Sequence, residues 1–280
     1  MDGRSLDSSL DFIFITNVPE LAEYVEQFGV GYVMVDLESH GKIERQGGRD
    51  TLISHHCLND VAMVKAVLKQ ARLVVRVNPL HDGTSAEIDS CLNAGAELLM
   101  LPMFRNAAEV ELFCSIVNGR AGVIPLVETA GAMRQLPRIA CIDGVTRIHI
   151  GLNDLHLDLG MTFIFEPLAN GAVDRMADCC RRAEMPFGIG GVSLVGHGHV
   201  PGETVLGEHA RLGSTAVILS RTFHQRAESL EELQQKIDFP SELNKLRQVF
   251  RSHLERSPDV VDYDRQQFCR RVSEVVARVA

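Results

Sequence analysis

The segment Val123–Asp154, VIPLVETAGAMRQLPRIACIDGVTRIHIGLND, decides how the rest of the chain is read. Val123–Val127 is an apolar run of strand length that ends in an acid, Glu128. A short helix and the turn Asp143-Gly144 follow, and then a second run, Arg147 to Ile150, ends in Gly-Leu-Asn-Asp. If the two runs are parallel neighbours, their ends lie about 5 Å apart. Glu128 and Asp154 then converge, and two carboxylates completed by waters and substrate oxygens are a common way to hold Mg²⁺. The alternative is that Glu128 caps one helix and Asp154 N-caps the next, because acids at helix starts are ordinary.

The same alternation extends in both directions. Toward the N-terminus stand Phe12–Thr16, Tyr32–Asp36, Leu73–Val77 and Leu98–Leu101; toward the C-terminus stand Phe187–Ile189 and Ala216–Leu219. Helical segments separate them, the first one capped by Thr16 or Asn17. Continuous apolar strands signal burial on both faces, as in parallel sheets. Eight strand–helix repeats predict an α/β protein, a closed (β/α)8 TIM barrel, with an open doubly wound sheet as the alternative. Residues 1–225 read as the barrel. Residues 226–280 are charged, strandless and interrupted by Pro240 and Pro258, and they read as a C-terminal helical extension, either a lid or an oligomer contact.

Composition excludes several classes. A net charge of −9 without a Lys/Arg run argues against nucleic-acid binding. No apolar stretch reaches membrane-spanning length, and the start MDGRSLDSSLD lacks the basic and apolar parts of a secretory signal. Seven scattered cysteines without a C-x-x-C pair fit reduced thiols in the cytoplasm. A phosphate-binding G-x-x-x-x-G-K-[ST] is missing, and no G-x-G-x-x-G follows the first strand.

A parallel barrel carries its chemistry at the C-terminal strand ends. Those positions hold Asp36 and Glu38, Arg76, Pro102, Glu128, and Asn153-Asp154. Charges inside runs such as VMVD and LVVRVNP are costly to bury alone, so opposite charges on one rim are expected to meet. Arg76 has two compatible roles, a salt bridge to Asp36 and stabilisation of a developing enolate oxygen. A metal would act on the same oxygen without a lysine Schiff base. The long loop Ser39–Asn59 carries His40, Lys42, Arg45, Arg49, His55 and His56; among its histidines, His40 and His56 are the first candidates for proton transfer. Gly188–Gly202 reads either as a phosphate-binding loop or simply as a mobile one.

Four segments together resemble the HpcH/HpaI aldolase and citrate lyase beta-subunit family of the pyruvate/phosphoenolpyruvate barrels. They are VMVDLESHGK (33–42), LVVRVNPL (73–80), the run from AGAELLMLPMF (94–104) to PLVETAGAM (125–133), and HIGLNDLHLDLG (149–160). The resemblance implies a divalent metal, Mg²⁺ or else Mn²⁺ or Co²⁺, on Glu128 and Asp154. It implies that Arg76 contacts the substrate's carbonyl or enolate oxygen, that backbone amides of Leu152, Asn153 and Asp154 receive its carboxylate, and that Asp36 orients water or a base. Ser39 stands where the aldolase branch places its histidine, and His40 follows one position later. Leu126 stands where the aldolases often have a polar residue. The expected activity is that of a metal-dependent lyase, an aldehyde-lyase or oxo-acid-lyase, cleaving a 2-oxo acid such as oxaloacetate through an enolate. The alternatives are a citrate-lyase-like acyl-CoA lyase or thioesterase and a non-catalytic barrel serving as an assembly subunit. Family members form trimers or hexamers, so a homo-oligomer is expected.

Overall fold

The structure, a computed structural model, describes residues 10–40 and 56–279. Lys42, Arg45, Arg49 and His55, like the acidic N-terminal residues, lie outside the described residues. Eight parallel strands close into a barrel in chain order: β1 (Asp11–Ile15), β2 (Tyr32–Asp36), β3 (Arg72–Arg76), β4 (Leu98–Leu101), β5 (Gly122–Val127), β6 (Ile148–Ile150), β7 (Phe187–Val192) and β8 (Ala216–Leu219). Closure is made by β1 against β8, with Asp11, Phe12 and Ile13 opposite Ala216, Val217 and Ile218. The open-sheet alternative is thereby excluded.

Strand side chains alternate in direction, and both sides of this sheet are dry. Ile13, Met34, Val74, Leu98, Met100, Ile124, Leu126 and Ala216 fill the barrel interior. Their chain neighbours, such as Phe12, Phe14, Val33, Val35, Leu73 and Val75, face the surrounding helices. An uninterrupted apolar run is what a strand with two buried faces requires. Before β6, Arg147 reaches to Asp11 at 2.7 Å and stacks on the Tyr32 ring at 5.2 Å.

The helices in chain order are α1 (Pro19–Glu26), α2 (Leu58–Val67), α3 (Thr84–Asn93), α4 (Ala107–Val117), α5 (Ala130–Ile139), α6 (Leu152–Asp158), α7 (Glu166–Ala169), α8 (Ala172–Arg182), α9 (Gly202–Leu212) and α10 (Arg221–His224). Helix α1 lacks the expected side-chain cap. Val18 takes the N-cap position, while Thr16 Oγ1 accepts the Val18 N–H and Asn17 donates to Asp60.

Three C-terminal helices follow, α11 (Leu230–Lys236), α12 (Phe239–Leu254) and α13 (Pro258–Val279). Proline opens two of them, where its missing N–H costs nothing. Phe239 packs edge-on against Phe14 and Phe223. Arg247 donates to the Gly29 carbonyl past α1, and His253 donates to the Glu203 carbonyl on α9. Helix α12 therefore fills the outer ring between α9 and α1. Helix α13 is tied down by Arg265, which meets Glu208 at 2.8 Å and donates to the Leu168 carbonyl.

Candidate active site

Glu128 follows the last residue of β5, and its neighbour, not Glu128, makes the helix cap. Thr129 Oγ1 accepts the Ala132 N–H at 3.0 Å and donates to the Phe104 carbonyl at 2.8 Å. The Glu128 carboxylate turns to the barrel mouth, where Oε1 accepts the Met103 N–H at 3.0 Å. Met103 holds φ of 55° in doing so, a left-handed conformation that costs a non-glycine residue energy. On the other side lies Gly151, where an added Cβ would sit 2.9 Å from Glu128 Oε2. Glycine keeps that space for the carboxylate.

Gly151 extends the ladder between β5 and β6, donating to the Val127 carbonyl at 3.0 Å, and is the N-cap of α6. Asp154 is the third residue of that helix and not its cap. It is buried, and it lines the same cavity as Glu128, about 310 Å³ in volume. Burial raises the Glu128 carboxyl well above its ordinary value, and the charges of Asp154 and Glu38 raise it further, against the opposing pull of Arg76 and the Met103 amide. The pair thus carries more negative charge than it can hold cheaply without a cation. Among the described residues no cluster of three or more His, Cys, Asp or Glu side chains could form a metal cage. Two acids beside a cavity instead fit a hard cation that keeps water and substrate oxygens in its remaining positions.

Asp36 and Arg76 are direct partners across β2 and β3. Arg76 donates through Nε to Asp36 Oδ1 at 2.8 Å and through Nη2 to Oδ2 at 2.7 Å, a two-pronged pair. Glu38 Oε2 lies 3.5 Å from Arg76 Nε. Burial alone would make the guanidinium easier to deprotonate; the charges of Asp36, Glu38 and Glu128 more than offset this and hold it above its ordinary value. The salt bridge expected from the sequence is present, and Arg76 and Asp36 both line the cavity with Glu128 and Asp154.

The two candidate histidines occupy different settings. His56 Nδ1 accepts the Asp36 N–H at 2.9 Å, so a neutral ring carries its proton on Nε2. His40 is exposed; its ring meets His81 edge-on at 4.8 Å and its backbone N–H donates to Asn78 Oδ1 at 3.0 Å. The histidines lining the cavity are His149 and His224, joined by Ser220 and Arg221 from the end of β8. The sequence reading passed over these four. His149 is the middle residue of β6, and with Ile148 and Ile150 turned toward the helices its ring faces the barrel interior.

Gly188 to Gly191 lie within β7 and not in a phosphate-binding loop. An added Cβ at Gly188 would sit 2.6 Å from His149 Nδ1, and one at Gly190 would sit 2.9 Å from Leu152 Cδ1. The glycines make room for those side chains, and a register shift between Gly188 and Gly191 bulges the strand.

His149 donates from Nε2 to the Gly190 carbonyl at 3.3 Å, while its Nδ1 and His209 Nε2 are buried with no partner among the described residues. Burial pushes His149 down to about 4, with Arg147 and Arg76 adding to it, and pushes His209 down to about 3, with His149 adding to it. Unfolded chains take up these protons near pH 6.5, so the fold is fully supported above that pH and penalised as pH falls below it. Each ring costs up to about 1.4 kcal/mol per pH unit in that window. Glu128, shifted upward, works in the opposite sense. We expect the melting temperature of the metal-free protein to fall between pH 6.5 and 4. His209→Leu should flatten that fall, and an unchanged pH slope in the variant would refute the assignment.

A closed (β/α)8 barrel with an arginine and buried acids gathered at the C-terminal strand ends has the layout of a barrel enzyme, whose chemistry sits at that face. Residues 12–187 match the HpcH/HpaI aldolase/citrate lyase family, and the chain belongs to it, which makes it an aldolase/citrate lyase-like lyase by class. Among curated proteins none matches the chain significantly. Solved structures resemble it in fold. An HpcH/HpaI aldolase/citrate lyase family protein from Burkholderia cenocepacia J2315 superposes with a TM-score of 0.61 at 18% identity, over 81% of this chain and 95% of that one. The citrate lyase beta subunit of M. tuberculosis, complexed with oxaloacetate and magnesium, gives 0.58 at 20% identity, over 88% and 98%. The CitE protein of Mycobacterium tuberculosis, in complex with magnesium, acetoacetate and coenzyme A, gives 0.58 at 17%, over 95% and 88%.

Proposed function

We propose that the chain is a divalent-metal-dependent carbon–carbon lyase acting on a 2-oxo acid through a pyruvate-type enolate. The observation that carries this reading is the charge arrangement at the mouth. Glu128 and Asp154 crowd negative charge beside the cavity, and Arg76 is held at its edge by Asp36 and Glu38. Glu128 and Asp154 are the metal ligands in this reading, and Mg²⁺ is the first choice for a site of oxygen donors. When bound, the ion supplies Lewis acidity toward the 2-oxo oxygen. The magnesium present with the M. tuberculosis citrate lyase beta subunit supports the same choice.

The protein's own groups have distinct tasks. Arg76, its guanidinium fixed by two bonds to Asp36, offers positive charge to the oxygen that becomes negative as the C–C bond breaks. The N–H groups of Leu152, Asn153 and Asp154 open α6 with no side-chain cap, and they receive the substrate carboxylate. Proton transfer falls to Asp36 with His56 or His40. The His56 ring is bonded to the Asp36 backbone N–H, and neither of these two histidines lines the cavity that holds Glu128 and Asp154.

An acyl-CoA lyase or thioesterase is the second reading, favoured by the VRVNP segment at 75–79, which resembles the citrate-lyase-like branch of the family more than the aldolase branch, and by the coenzyme A bound to the M. tuberculosis CitE protein. Oxaloacetate turnover tests both. The expected result is pyruvate release with Mg²⁺ or Mn²⁺, its loss in EDTA, and its return when metal is restored, all without coenzyme A. Turnover that persists in EDTA would refute the metal, and a strict requirement for a CoA thioester would transfer the assignment to the second reading.

A further inference from the structure

Among the described residues, His149 and His224 are the histidines that line the cavity, and their rings are held in different ways. Both nitrogens of His149 are closed to a ligand. Its Nε2 donates to the Gly190 carbonyl, and its Nδ1 turns to Gly188, where even an added Cβ would come within 2.6 Å. His224 is half-buried on the short helix α10, just beyond β8. Its Nδ1 accepts the Arg226 N–H at 3.0 Å, and among the described residues Nε2 has no hydrogen-bond partner. The neutral ring therefore carries its proton on Nε2. The backbone bends to make that bond: Gln225 and Arg226 hold φ of 51° and 55°, consecutive left-handed conformations that cost a non-glycine residue energy. Packing fixes the ring as well. It meets the Phe14 ring edge-on at 6.3 Å, and Phe14 packs against Phe239 at the start of α12. Burial lowers the ring's affinity for a proton, and the charges of Arg221 and Arg226 lower it further, so the neutral form prevails. In the closed barrel β8 stands opposite β4, so His224 faces the arc of β3 to β5 that carries Arg76 and Glu128.

We infer that His224 is a catalytic hydrogen-bond donor, whose Nε2–H holds the substrate oxygen on the carbon beyond the scissile bond. The inference rests on the 2-oxo acid lyase reading above. When a 4-hydroxy-2-oxo acid is cleaved, the 4-hydroxyl gives its proton to a base at Asp36. The C3–C4 electron pair passes to the 2-oxo oxygen as the enolate, and the C4 oxygen becomes a carbonyl. A proton taken up on C3 then completes pyruvate, and no oxidant or reductant is needed. Between hydroxyl and carbonyl the C4 oxygen carries negative charge, which a fixed N–H stabilises. A neutral ring whose Nδ1 already accepts a bond has no lone pair on Nε2 with which to take the proton, so His224 is the donor and not the base. Arg76 serves the 2-oxo end of the substrate and His224 the other end.

The experiment is cleavage of 4-hydroxy-2-oxopentanoate by the parent, His224→Phe and His224→Gln. Exchange of pyruvate methyl protons in deuterated water, measured with Mg²⁺ in the same samples, reports on the enolate half alone. Phe keeps the bulk of the ring against Phe14 without a donor, and Gln restores an N–H near the place of Nε2. We expect His224→Phe to lower kcat for cleavage roughly 10²–10³-fold while proton exchange stays close to that of the parent. His224→Gln should recover most of the loss and keep the parent's pH profile. Cleavage by His224→Phe at the parent's rate would overturn the inference. Equal losses of cleavage and exchange would also overturn it, leaving the ring a structural part of the mouth. A Gln variant as slow as the Phe variant would make the ring a proton acceptor instead of a donor. No proton exchange by the parent would remove the lyase reading, and the role of His224 with it.

Discussion

Glu128→Gln is expected to eliminate metal-dependent turnover of oxaloacetate while leaving the metal-free protein at least as stable as the parent. The two halves of that result have one cause. Burial and the neighbouring charges of Asp154 and Glu38 hold the Glu128 carboxyl well above its ordinary value, so the ionised acid is unfavourable without a cation beside it. An amide of the same shape removes that charge. It can still accept the Met103 N–H through its oxygen. In the proposed reading the metal also loses a charged ligand, and the loss of turnover should exceed the roughly 10²–10³-fold typical of deleting one stabilising donor at an active site.

A readout independent of catalysis separates this from a folding defect. Metal at about a hundred times its dissociation constant adds on the order of 2.7 kcal/mol to the parent, a rise of several degrees in melting temperature for a chain of this size. Mn²⁺ should raise the melting temperature of the parent and leave that of the variant in place. Equal shifts in both proteins would show that the ion binds elsewhere.

The strands were legible because a sheet buried on both faces leaves a mark that composition alone cannot imitate. Runs such as YVMVD and LVVR have no polar side to turn outward. The same logic exposed Asp36 and Arg76: charge set in such a run needs a partner on the same rim, and register places these two directly across from each other. Strand β7 was read only as far as Ile189, since glycine ordinarily marks a turn. Here the glycines are set by neighbours remote in sequence, His149 and Leu152, whose side chains occupy the space a Cβ would take. His149 escaped for the complementary reason, because a three-residue strand is too short for alternation to declare itself. The settings of His40 and His56 were not legible, since nearness to Asp36 along the chain does not say which ring folds back onto its backbone.

Arg76 separates catalysis from architecture through two substitutions. Arg76→Lys keeps a positive charge near Asp36 but loses the planar fork that makes both bonds, 2.8 and 2.7 Å long. If the guanidinium stabilises the enolate oxygen, turnover should fall about 10²–10³-fold, while the metal-induced rise in melting temperature stays close to that of the parent. Losses of similar size in both measurements would assign Arg76 a structural role only. Arg76→Ala removes the charge altogether and leaves Asp36 and Glu38 buried beside Glu128 with no guanidinium among them. Breaking a buried pair in this way costs about 3–5 kcal/mol. That cost should depend on pH with a definite sign, because the stranded carboxylates recover by taking up protons. The stability gap between parent and variant should therefore be widest at neutral pH and above, and it should narrow as the solution is acidified. A gap that widens with acid would mean that the acids in the native protein are held by something other than Arg76, and the electrostatic account of the mouth would fail with it.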